Sequence, residues 1–134
     1  AAILRVKLAR LASDNVRRRR LADRYDLLLA TAVRTPRRRP GSRHVFHLYV
    51  VRAAARDRLR NHLHHLGIGT LIHYPVPVHL QPAYRGRIDC PGGMEETERV
   101  AGDILSLPMY PELAVEMVHR VAEAVKGFRE APDD

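Results

Sequence analysis

His73 and Tyr74 stand side by side where an apolar stretch runs into Tyr74-Pro75-Val76-Pro77, and His79 follows Tyr74 by five residues. An imidazole can donate to or accept from a carboxylate, a phosphate or a sugar hydroxyl, and a phenol presents a hydroxyl on a stiff arm. Prolines lack an amide donor and fix φ, so they end a ladder and stiffen the turn that follows. A strand that gives out into such a turn is a place where a rigid element presents polar side chains to a ligand. On residue types alone, a ligand-binding cluster and a merely packed turn remain equal readings.

The other titratable groups carry less chemistry. His62, His64 and His65 fall in one helical stretch, where only His62 and His65 share a face. Structural zinc takes four ligands and catalytic zinc three, so with no thiolate or carboxylate close in sequence a solvated helix surface is expected and no metal site. His44 and His47 fall on an expected strand and read as structural imidazoles bonded to backbone. Asp57, Asp103 and the group Glu95, Glu96 and Glu98 do not form the acid and base pair of a shared cleft. Cys90 is the single cysteine, without an evident base partner; it cannot form an internal disulfide, which fits a reducing, cytoplasmic setting. The sequence contains no nucleophile elbow, Walker loop or dinucleotide fingerprint.

The 134 residues carry a net charge of +8, almost wholly from arginine, since Lys7 and Lys126 are the only lysines. The runs at 17–20 and 37–39 read first as solvated surface and second as contacts for an anionic ligand. A basic nucleic-acid-binding module is the least favoured reading, because such modules align cations along a stripe interleaved with aromatics. No apolar run approaches the ~20 residues needed to span a bilayer, so no membrane partner is expected.

These residues need elements to hold them. Leu4, Leu8 and Leu11, then Ala22, Tyr25 and Leu29, recur at helical spacing through residues 1–32, with a break expected near 13–15. Residues 35–42 read as a loop, and residues 44–52 (HVFHLYVVR) as a strand covered on both faces. Helical spacing returns over 54–66 before Gly67, a left-handed stop. Residues 70–73 form a short second strand, 80–84 one helical turn and 95–103 a helix with an acidic first turn. Residues 104–107 make a third strand closed by Pro108, and 113–128 a last helix; 130–134 should fray. The expected fold is α/β, an α+β small domain with a three-stranded, mainly antiparallel sheet and helices packed mostly on one side. Residues 1–32 lead into a core spanning 44–128.

Three strings, AAILRVKL at the start, GIGTLIHYPVPVHLQPAY at 67–84 and ILSLPMYPEL at 104–113, resemble the C-terminal portion of the DegT/DnrJ/StrS-type sugar aminotransferases. The likeness covers almost the whole chain, in order. It implies the C-terminal small domain of a fold-type-I, pyridoxal-phosphate-dependent enzyme, commonly a homodimer. Such an enzyme transfers an amino group from glutamate to a keto-deoxysugar nucleotide. By the same resemblance His73 and Tyr74 contact substrate, with His79 a weaker candidate. The family's Schiff-base lysine and the other residues that hold the cofactor lie upstream of residue 1, and neither Lys7 nor Lys126 matches that lysine. The chain alone is therefore expected to be inactive, without a catalytic or cofactor-binding residue of its own. Two small departures are Ala114, where the family places a threonine helix cap, and Glu95, where a proline often begins the helix. A noncatalytic sugar-nucleotide-binding protein, or a pseudo-subunit pairing with a complete enzyme, is the alternative.

Overall fold

The structure is a computed structural model that describes residues 1–128. The expected fraying of 130–134 lies outside the described residues. Among the described residues five α-helices and two strands follow one another as α1 (Ala2–Leu8), α2 (Leu11–Leu29), β1 (Tyr49–Arg52), α3 (Arg56–His65), α4 (Glu95–Asp103), β2 (Ile104–Leu107) and α5 (Val115–Gly127). A short 3-10 turn at Val78–Leu80 stands where one helical turn is expected nearby. Among the described residues no helix is long and apolar enough to cross a membrane.

β1 and β2 pair antiparallel, with Tyr49 opposite Leu107 and Val51 opposite Leu105. Strand alternation puts these four on one face, and all four are buried. Leu21, Tyr25 and Leu29 of α2, Leu59 and Leu63 of α3, and Val118, Val121 and Val125 of α5 close over that face. The other face carries Val50 opposite Ser106 and Arg52 opposite Ile104.

The sheet has two strands, not three. The expected strand at 70–73 contributes one antiparallel bridge, Leu71 with Ser106, at 3.2 and 2.7 Å. Gly69 ahead of it favours no extended conformation, and Pro75 and Pro77 behind it have no amide to offer a ladder. The first strand is also shorter than the span 44–52. Phe46 has a φ of 49° and donates its amide to His44 Nδ1 at 2.9 Å, while Arg18 of α2 takes the carbonyls of Phe46 and His47 at 3.3 and 3.2 Å. His44 and His47 accordingly precede the strand and are exposed, not on it.

The helical break falls at Ala9 and Arg10, ahead of the expected position, and α2 runs unbroken through residues 13–15. The Ser13 hydroxyl donates to the Arg10 carbonyl at 2.8 Å. Nothing in α1 is buried: Ile3, Leu4, Val6 and Leu8 are each about two-thirds to three-quarters exposed. Gly67 stops α3 as expected, at a φ of 72° that a side chain would resist. The amides of Gly67 and Ile68 turn back to the carbonyls of His64 and Leu63, both at 2.9 Å, and Ile68 and Leu63 are both buried there.

A polar network secures the loop before β1. Tyr49 donates its phenol to Asp26, and Arg38 reaches across to pair with Asp26 and Asp23 while lying 4.8 Å over the Phe46 ring. Tyr25 stacks on Tyr49 with centroids 4.8 Å apart and donates to the Pro108 carbonyl at 3.1 Å. Burial pushes both phenols well above the usual tyrosine range, helped at Tyr49 by the bond to the Asp26 carboxylate and at Tyr25 by nearby Tyr110.

Candidate functional site

The second face of the sheet builds the site. The Leu71–Ser106 bridge fixes one end of the segment 71–74, and the His73 side chain folds back so that Nδ1 lies 2.9 Å from Ser106 Oγ. Ser106 is buried, so its hydroxyl needs a partner inside the protein and the imidazole is that partner. With the hydroxyl donating to Nδ1, Nε2 carries the proton and is a donor; in the other tautomer Nε2 accepts. Either way the bond fixes the ring and leaves Nε2 for a ligand.

Beyond the cis His73–Tyr74 peptide the proline turn bends away, and Tyr74 is 74% exposed. Turn and α4 enclose a cavity of about 420 Å³ whose wall includes His73, Tyr74, Val76, Gln81, Glu96 and Ile104. Val78, Val100 and Ala101 make the rest of it mostly apolar. A mostly apolar hollow with a few convergent polar groups is the usual form of a small-molecule site. Glu96 is held below the usual carboxylate range, chiefly by its bidentate hydrogen bond from Arg99 at 2.6 and 2.9 Å.

The structure thus brings His73 and Tyr74 together on one cavity. His79 sits apart from its wall: Nε2 meets Glu98 Oε1 at 2.9 Å and ties the 3-10 turn to α4. Of the other histidines, His62 is not simply solvated, since Nε2 meets the Ala124 carbonyl at 3.1 Å and the ring lies 5.7 Å from that of Phe128. Ser106, Gln81 and Glu96 are site residues that reading the sequence did not single out. The available signal for Ser106 was alternation, because it lies between Leu105 and Leu107 and must point to the opposite face. Neither lysine lines the cavity. Lys7 is exposed on α1, and Lys126 pairs with Glu123 at 2.9 Å.

Comparison with known proteins decides the family, because the profile described as the DegT/DnrJ/EryC1/StrS aminotransferase family matches residues 1–126. The chain belongs to that aminotransferase family. A dTDP-3-amino-3,4,6-trideoxy-alpha-D-glucose transaminase of Streptomyces venezuelae is 44% identical over 99% of this chain and 36% of its own length. The erythromycin biosynthesis sensory transduction protein EryC1 of Saccharopolyspora erythraea is 42% identical over 95% of this chain and 35% of its own. The crystal structure of S. venezuelae DesV with a ketimine intermediate superposes with a TM-score of 0.91 at 44% identity, over 98% of this chain and 36% of that one. The chain therefore spans about a third of the length of the family members it matches. As a DegT/DnrJ/EryC1/StrS protein it brings the HYPVP turn, but not a lysine, to the cavity, and ties the turn's histidine to the β2 serine.

Proposed function

We propose that residues 1–134 are the C-terminal small domain of a cytoplasmic, homodimeric aminotransferase, with 1–32 leading into a core at 44–128 and a large cofactor-binding domain outside the chain. The complete enzyme transfers an amino group from glutamate to a keto-deoxysugar nucleotide. The observation that carries this reading is His73 on the cavity wall, held by its bond to Ser106, in a chain that aligns with the dTDP-amino-sugar transaminases.

Pyridoxal phosphate supplies the electron sink for transamination when bound in such an enzyme. The residues at this cavity do not fit its covalent attachment, because both lysines lie elsewhere, so this chain's part is to bind and orient the sugar. His73 Nε2 and the Tyr74 hydroxyl address sugar oxygens, and the valines and Ile104 of the wall accept the deoxygenated carbons. His79 acts on the substrate only through the turn that it ties to α4. The same placement of the lysines also suits a noncatalytic sugar-nucleotide-binding subunit that pairs with a complete enzyme.

Saturation-transfer NMR of the chain with dTDP-glucose tests the reading. Contact to the sugar ring is expected, and is lost in His73→Ala and Tyr74→Ala; with glutamate, pyridoxal phosphate and a dTDP-keto-sugar no amination is expected. Sugar contacts indifferent to both substitutions, or turnover by the chain alone, refute it. Stoichiometric capture by a full-length homologue that remains active would favour the noncatalytic subunit.

A further inference from the structure

Residues 75–93 lead from the HYPVP turn through the 3-10 turn toward α4, and none of them is buried. Their backbone hydrogen bonds close within the stretch, as Leu80 to Pro77, Tyr84 to Gln81 and Gly93 to Cys90 do. Among the described residues one hydrogen bond ties the stretch to the rest of the protein, that of His79 with Glu98 of α4. A carboxylate only accepts, so His79 Nε2 donates, to Oε1 at 2.9 Å. The His79 side chain is 15% exposed, and a hydrogen bond withdrawn from water in this way is stronger than one on the open surface.

The bond stands where it can act on the cavity. Val78 and Gln81 lie to either side of His79 in the chain, Thr97 and Val100 to either side of Glu98, and all four line the cavity wall. The bond therefore joins the two elements between which the cavity lies. At the other end, the Leu71–Ser106 bridge and the His73–Ser106 bond hold the chain to β2. A segment without a buried apolar anchor belongs to the parts of a protein that open first. A single hydrogen bond to a charged group then sets much of how often it opens.

We propose that residues 75–81 form a strap over the cavity and that the His79–Glu98 bond is its latch, so that breaking the bond admits or releases the ligand. The inference rests on the reading of this cavity as the sugar site and adds how that site opens. His79 and Glu98 are positioning residues: neither lines the cavity, and each acts through the strap. Opening moves Val76, Val78 and Gln81 away from α4 while His73 stays bonded to Ser106. The ring that addresses the sugar thus keeps its place whether the strap is open or closed.

Thiol labelling tests the latch without a ligand. Ala101 of α4 is buried and lines the cavity, so Ala101→Cys in a Cys90→Ser chain puts a thiol behind the strap. Its rate of reaction with iodoacetamide is expected to rise about fivefold when Glu98→Ala or His79→Ala removes the bond. Glu98→Gln keeps an acceptor oxygen and is expected to bring the rate back toward that of the parent. Glu123→Ala, which breaks an ion pair of the same 2.9 Å length on α5, is expected to leave the rate alone. Amide hydrogen exchange of residues 78–85 follows the same opening in chains without the introduced cysteine, and should quicken by a similar factor. A labelling rate and an exchange rate indifferent to Glu98→Ala, or equal acceleration by Glu123→Ala, overturn the proposal. Circular dichroism confirms that each variant is folded. dTDP-glucose then separates the two readings. A thiol protected by dTDP-glucose but labelled at the same rate with and without the latch refutes the latch and keeps the sugar site. Labelling that depends on the latch and is not slowed by dTDP-glucose supports the latch and refutes the sugar reading.

Discussion

Alkaline pH should destabilise this protein through two phenols. Tyr25 and Tyr49 are completely buried, and burial raises both above the ordinary tyrosine value. In the unfolded chain each ionises near pH 10, whereas the folded protein keeps both protons well above that. Unfolding above about pH 10 therefore releases protons, and stability falls as pH rises. The contribution is fully present below the unfolded value and is lost above it. At about pH 11 each tyrosine costs about 1.4 kcal/mol, and the pair about 3 kcal/mol. That is a large share of the roughly 5–15 kcal/mol by which domains are stable. Urea denaturation across about pH 9 to 11 measures the slope. Tyr49→Phe removes one of the two groups and should remove half of their share of the slope, after a loss at neutral pH of about 1–2 kcal/mol because Asp26 loses a donor while keeping Arg38. Comparing the variant with the parent cancels the two lysines and the arginines, which titrate in both. A Tyr49→Phe chain with the parent's slope would refute the account.

Ala114 caps α5 with extended φ and ψ of −67° and 145° and no side-chain bond, so Ala114→Asp should gain about 1 kcal/mol and raise the melting temperature by a few degrees. Leu105→Ala, at a fully buried position of β2, should cost about 2–5 kcal/mol in denaturant titration. Ser106→Ala should cost about 1 kcal/mol in stability yet weaken dTDP-glucose binding severalfold, because the His73 ring loses its fixed partner. Sedimentation should show the chain self-associating through α1, and Leu4→Gln/Leu8→Gln should return it toward monomer.

Elements whose signals are local were legible in the sequence. α4 and β2 fall on the expected residues 95–103 and 104–107, where an acidic first turn opens the helix and Pro108 closes the strand. Gly67 ends α3 as its type demands. The misplaced boundaries have distant causes. Nothing in HVFHLYVVR announces that Arg18, from a helix far upstream, will occupy the carbonyls a longer β1 would need. That arginine sits in a run whose members look alike, yet it also holds the Met109 carbonyl at 3.1 Å. Likewise Asp26, Arg38 and Tyr49 show no pattern until the fold brings them together. His73 and Tyr74 could be singled out by the proline turn, but the serine that orients His73 lies 33 residues on and reads as one more strand position.

The packing of α2 against α5 has a consequence for how the protein is made. Leu21, Tyr25 and Leu29 are covered by Val118, Val121 and Val125, a partner from the far end of the chain, and β1 must wait for β2. On the ribosome the first half emerges with its apolar surface open and no mate in sight. Folding is thus deferred until the last helix has left the exit tunnel. Through that interval the early helices depend on chaperones or on a neighbouring, already folded domain to keep them from aggregating.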